Sequence, residues 1–113
     1  TIDDDAAREP TGAFAAQAYD CVNLIALAAA RADSDAPAEI AAQIPEVSTS
    51  GSSCRDFAQC LAETEAGLQI DYDGPLGVTE IGRDGRPQRA LFDRFVFDDE
   101  GRDVTLETVL ATA

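Results

Sequence analysis

The chain has 113 residues, 22 acidic and 8 basic, and every basic residue is arginine, which leaves a net charge of −14. That length bounds it to one modest domain, and the charge excludes a nucleic-acid backbone or an anionic membrane surface as partner. The absence of histidine removes Ser-His-Asp and Cys-His catalysis and the imidazole-based zinc sites.

Hydrophobic residues make up 45% of the chain, which places it among globular sequences. Aromatics are only 6% and tryptophan is absent, so alanine, leucine, isoleucine and valine must build the core. Such a core buries little area per residue and is marginal for a free-standing domain at roughly 25 cal/mol per Å². The longest apolar run, Leu24 to Ala30, is too short to span a bilayer. With no methionine and no leader, the chain is expected to be either a cytosolic protein or a piece of a longer one, and the second is favoured below.

Residues 1–12 are acidic and punctuated by Pro10 and Gly12, which predicts an irregular lead-in with one helical turn near Asp4–Arg8. A long helix is predicted over 13–32 with Thr11 as capping hydroxyl, because Phe14, Ala18, Cys21, Val22, Ile25 and Ala29 recur at spacings of three or four. That stripe is the expected buried face, with Cys21 a small buried hydrophobe. Tyr19 stands well off it, placed to pack on another segment or to face a cleft.

Asp33 to Pro37 stops this helix and starts a second, with Asp35 as N-cap, Pro37 in the first turn and Glu39 at the positive end of the dipole. The second helix runs through Ala38, Ile40, Ala41 and Ile44, and Pro45 marks its end or a tight continuation. Residues 48–53, STSGSS, read as a flexible loop. A third helix is predicted over 55–66, with Phe57, Cys60, Leu61 and Thr64 in phase and Gly67 as the C′ residue.

From Leu68 the period changes to two. Leu68 and Ile70 lead into DYDG, and Leu76, Val78 and Ile81 suggest a short strand. GRDGRP at 82–87 supplies a turn with Gly85 at positive φ. Leu91 to Phe97 alternates as a strand, DDEGR at 98–102 turns the chain, and Val104 to Val109 makes the last strand.

Cys54 and Cys60, six apart around a Ser/Gly turn, predict a small disulfide loop in an oxidising compartment. Two thiols with no further ligand are too few for zinc. Asp71-x-Asp73-Gly74 opens like a calcium loop, but the twelfth position is Gly82 rather than a bidentate glutamate, so a solvated turn is expected. The acidic pairs Asp3–Asp5 and Asp98–Glu100 lie in polar surroundings where nothing raises a pKa. GRDGR lacks the lysine and following helix of a phosphate cradle. No enzyme activity, metal or cofactor is expected from these residues.

The run PTGAFAAQAYDCVNLIALAAARA, then DAPAEIAAQI, then DGPLGVTEIGRDGRP resembles the C-terminal third of the type 1 periplasmic-binding proteins. The group it is most similar to is the branched-chain (Leu/Ile/Val) amino-acid binding components of ABC transporters. Pro10 to Phe14 and Ala18 to Val22 stand where that family has its P-S-G-A-F lead-in and Ala-Tyr-Asp-Ala-Val. Asp73, Gly74, Gly77, Gly85 and Pro87 match its strand–turn signature, whereas Ile81 and Gly82 depart from the usual Phe and Asp. Cys54, Cys60 and Ile70 to Gly74 match a two-cysteine subgroup.

The resemblance implies an α/β fold, part of a Rossmann-like lobe. In this chain that means three helices (13–66) followed by an antiparallel strand meander (68–110), a single C-terminal segment over 1–113. It implies a substrate-binding protein that delivers an amino acid or amide ligand to an ABC permease from the periplasm or another extracytoplasmic compartment, with a lipid anchor as one option at the missing N-terminus. It carries Tyr19 over as a ligand-binding residue, with Phe14 and Gln17 as further candidates. Segments that grip the ligand's charged groups would lie upstream, so the fragment is expected to expose apolar area and to dimerise, swap elements or be a proteolytic remnant. The alternatives are an acidic, disulfide-closed secreted interaction module and a ligand-sensing receptor domain of the same fold.

Overall fold

The computed structural model describes residues 14–75 and 80–112. Among them the chain forms three helices and two small sheets, a mixed α/β arrangement. Helix α1 spans Ala15–Ala32 and α2 spans Pro37–Ser48; strand β1 (Ser52–Cys54) then leads to helix α3 (Phe57–Glu65) and strand β2 (Ile70–Tyr72). Strands β3 (Glu80–Ile81), β4 (Pro87–Phe97) and β5 (Asp103–Thr112) complete it. The predicted turn near Asp4–Arg8, the Thr11 cap and the strand residues Leu76 and Val78 lie outside the described residues.

The helices end where local chemistry requires. Asp33 closes α1 in the left-handed region (φ 50°), its N–H donating back to the last turn. The cap before α2 is Ala36 rather than the expected Asp35, and the Ser34 hydroxyl accepts from the Ala36 N–H at 3.0 Å. Pro37 opens α2, where its missing N–H costs nothing. Pro45 lies inside α2, which continues to Ser48. Asp56 caps α3 by accepting the Gln59 N–H at 2.8 Å, and Gly67 follows at φ 82°.

Residues 48–53 are not a flexible loop throughout. Ser52 to Cys54 pair in parallel with Ile70 to Tyr72, so β1–α3–β2 is a compact βαβ unit. Gly51, at φ 129°, lets its backbone lie against the Gln69 carbonyl, which the Ser52 N–H bonds at 2.9 Å. The pairing also corrects the single meander: β2 belongs to this parallel sheet, and only β3–β4–β5 is antiparallel. Hydropathy patterning does not reveal it because SSC is three residues long and holds no large apolar side chain.

The Cys54–Cys60 disulfide forms as expected, joining the end of β1 to α3. Around it sits the core: Leu24, Leu27 and Ala28 of α1, Val47 of α2, both cysteines, Ile70 and Tyr72. Ile40, Ile44, Phe57, Leu61 and Ile81 close its rim. The β4–β5 hairpin lies outside that core. Its large apolar side chains, Leu91, Phe92, Phe95, Val96 and Phe97 on β4 and Val104, Leu106, Val109 and Leu110 on β5, are 42–68% exposed.

Helix α1 turns the opposite face inward from the one expected. Its buried residues are Ala16, Asp20, Asn23, Leu24, Leu27 and Ala28. Phe14 (78% exposed), Val22 (67%), Ile25 (51%) and Cys21 all face out, so Cys21 is an exposed free thiol and not a buried hydrophobe. The helix carries an apolar stripe on each side. Two polar residues, Asp20 and Asn23, go to the interior because a partner waits for them there.

Candidate functional site

That partner is Tyr72. It sits at the end of β2 with no exposed surface, and its hydroxyl donates to Asp20 Oδ1 at 2.8 Å. The Asn23 side-chain amide donates to the same phenolic oxygen at 2.9 Å. One hydroxyl is therefore donor to a carboxylate and acceptor from an amide, which satisfies it inside the core. Burial pushes the Tyr72 phenol well above its ordinary pKa near 10, with the Asp20 carboxylate raising it further and the Asn23 donor opposing. Tyr72 therefore stays neutral at physiological pH and acts as a fixed donor.

Gly74 completes this joint. It adopts φ 66°, and any Cβ there would fall onto the Asp20 carboxylate. Only glycine lets the DYDG backbone approach α1 so closely. Asp71 and Tyr72 belong to β2 rather than to a solvated turn. The Ser53 hydroxyl donates to Asp73. The Asp71 carboxyl has one oxygen buried without a hydrogen-bond partner. Desolvation, then the nearby Asp73 and Glu80 charges, raise its pKa above the ordinary carboxylate value.

The sequence-nominated residues occupy the first turns of α1, beside this joint. Phe14 is the N-terminal cap, exposed and in the left-handed region at φ 65°, a rare conformation for a bulky residue. Gln17 is exposed and Tyr19 half-buried. Helical geometry sets Gln17 and Tyr19 about 160° apart around the axis, so they look in different directions. Gln17 instead borders a cavity of about 240 Å³ between α1 and the base of the hairpin, whose apolar wall includes Cys21, Leu24, Ile81 and Leu91. The Arg89–Glu80 ion pair, at 3.4 Å, stands at this cavity.

The arrangement suits binding and positioning. Among the described residues no group of three or more His, Cys, Asp or Glu side chains is placed to hold a metal. Asp20, Asn23 and Tyr72 all lie within the runs that carry the resemblance, but no role is expected of them from sequence. The available signal was the polar pair Asp20 and Asn23, three apart on a helix, together with a second tyrosine in a strand-like segment. No family model, no curated protein and no solved structure matches the chain.

Proposed function

We propose that the chain is the C-terminal part of an extracytoplasmic solute-binding protein of the type 1 periplasmic-binding class, serving an ABC importer for branched-chain or related amino acids. One observation carries most of this reading. Two of the segments that carry the resemblance, Ala18-Tyr19-Asp20 and Ile70 to Gly74, are joined by the Tyr72–Asp20 hydrogen bond and the close approach of Gly74. They act as one structural unit that fixes the start of α1, leaving Tyr19 beside the joint and half-exposed. The buried disulfide favours an oxidising compartment.

On this reading the complete protein closes a second lobe over the start of α1, a hinge motion that the permease senses. Tyr19 is the residue here that contacts the ligand, with Phe14 and Gln17 supporting the cleft edge. Calorimetry of the intact protein against branched-chain amino acids and small amides tests it, with binding expected and weakened about tenfold or more in Tyr19→Ala. Failure to bind any of them sinks the assignment. The 113 residues alone are expected to show no useful affinity.

A second reading has its own support. The outward stripe of Phe14, Val22 and Ile25 is what a secreted interaction module would present to a protein partner. A lipoprotein leader and two lobes in the complete protein favour transport, and a following membrane span and signalling domain favour a sensor of the same fold.

A further inference from the structure

The chain holds two places where aspartate precedes glycine, Asp73-Gly74 and Asp84-Gly85. Glycine has no Cβ to shield its amide nitrogen, so a neighbouring aspartyl carboxyl can close on that nitrogen to form a five-membered imide. Closure requires the peptide between the two residues to turn, and the fold treats the two places differently.

Asp73-Gly74 is clamped. Gly74 is buried against the Asp20 carboxylate, onto which any Cβ would fall. The Asp73 N–H donates to the Cys54 carbonyl at 2.9 Å, the Ser53 hydroxyl donates to the Asp73 carboxylate, and Arg55 Nε donates to the Gly74 carbonyl at 3.4 Å. Turning this peptide would break the joint between β2 and α1. Asp84-Gly85 stands in the turn between β3 and β4, with both residues exposed and open space around Gly85. Its amide donates to the Gly82 carbonyl at 2.9 Å, a turn bond open to water. Asp84 Oδ1 accepts from the Arg86 N–H at 3.0 Å, a link that folds the carboxyl back over the Gly85 peptide.

We propose that Asp84 is a modification site at which the folded chain isomerises to isoaspartate, while Asp73 is protected. The Gly85 nitrogen gives its proton to water and attacks Asp84 Cγ; a new N–C bond forms and one carboxyl oxygen leaves as water. Water then adds to the α-carbonyl of this succinimide and breaks the original peptide bond, so the chain runs on through Cγ. Opening at Cγ instead restores aspartate. One water is released and one consumed, nothing is oxidised or reduced, and the mass is unchanged. The product lengthens the main chain by one carbon inside a turn closed by the bond from the Gly82 N–H to the Arg86 carbonyl at 2.8 Å. It therefore loosens the pairing of β3 with β4, where the Arg89–Glu80 ion pair borders the cavity.

The test is incubation of the 113-residue chain at neutral pH over several weeks, folded and in urea, with peptide mapping and isoaspartyl-methyltransferase labelling of both sites. In the folded chain Asp84 is expected to convert about tenfold faster than Asp73 or more, and in urea the two rates should draw together. Gly85→Ala, which places a methyl beside the attacking nitrogen, should slow conversion at Asp84 and leave Asp73 unaltered. The comparison within the unmodified chain stands even where the alanine variant folds poorly. Equal rates in the folded chain overturn the proposal, as does isoaspartate that forms at Asp84 only in urea. A gap that is unchanged in urea also overturns it, because sequence rather than fold would then set the order.

Discussion

Tyr72 and Asp20, 52 residues apart in the chain, meet in a 2.8 Å hydrogen bond at the centre of the fold. It is the polar joint between the first helix and the βαβ unit. Removing the hydroxyl with Tyr72→Phe takes the acceptor at 2.9 Å from the buried Asn23 amide. An unmatched buried polar group costs about 1–3 kcal/mol, and a loss of that size is expected in urea unfolding. A double-mutant cycle with Asp20→Asn should show coupling between the two positions. Additive effects would mean the bond contributes nothing of its own.

Gly74→Ala tests the same joint from the backbone side. The left-handed conformation alone costs an L-residue about 1–2 kcal/mol, and the new methyl would also displace the Asp20 carboxylate. The substitution is expected to be more destabilising than Tyr72→Phe, whereas Gly85→Ala, with open space around its Cβ, should cost only the conformational part. Equal effects at Gly74 and Gly85 would remove the steric argument.

Asp71 gives a pH dependence of defined sign. Its folded-state pKa is raised above the ordinary value of 3.8 by burial and by Asp73 and Glu80. The folded protein therefore binds this proton more readily than the unfolded chain, and stability falls as pH rises through that window. Asp71→Asn is expected to raise the melting temperature at pH 7, with the gain shrinking as pH falls toward 3.8. A gain that is the same at pH 4 and pH 7 would assign the effect to something other than ionisation.

The disulfide closes a short loop, for which chain entropy gives about 2 kcal/mol. Cys54 and Cys60 are 1% and 0% exposed, so a reductant should act slowly on the folded protein and quickly once it is warmed toward unfolding. The Cys54→Ala/Cys60→Ala chain is expected to keep its helical signal but melt at lower temperature. An unchanged melt would show that packing in α3 and β1 suffices.

Helix positions, the cysteine pair and the hairpin turns were legible because each rests on local chemistry. The spacing of apolar residues, a proline in the first turn of a helix, and glycines at positive φ all act within a few residues, whereas the expected Asp35 cap gave way to Ala36. The buried face of α1 was not legible. Both sides of that helix are apolar, and the side that wins carries Asp20 and Asn23, which hydropathy scores against. Their burial is decided by a tyrosine hydroxyl about 50 residues away, a long-range match that no local period contains. Strand β1 was missed for a related reason: two serines and a cysteine become a strand only when Ile70 to Tyr72 lie beside them. At the candidate site, motif order suggested Tyr19, Phe14 and Gln17, but only the helix geometry separates Gln17 from Tyr19.

The loop closed by the disulfide contains one basic residue, Arg55, and it is exposed. A trypsin-like protease that cuts after it would split the sequence within the βαβ unit. The two pieces would nevertheless remain one molecule, because the cut falls between Cys54 and Cys60. Such a nick would add the mass of one water, and the halves would come apart only on reduction. The covalent staple thus makes the exposed arginine the one point in this unit where such a protease can break the backbone without disconnecting the chain.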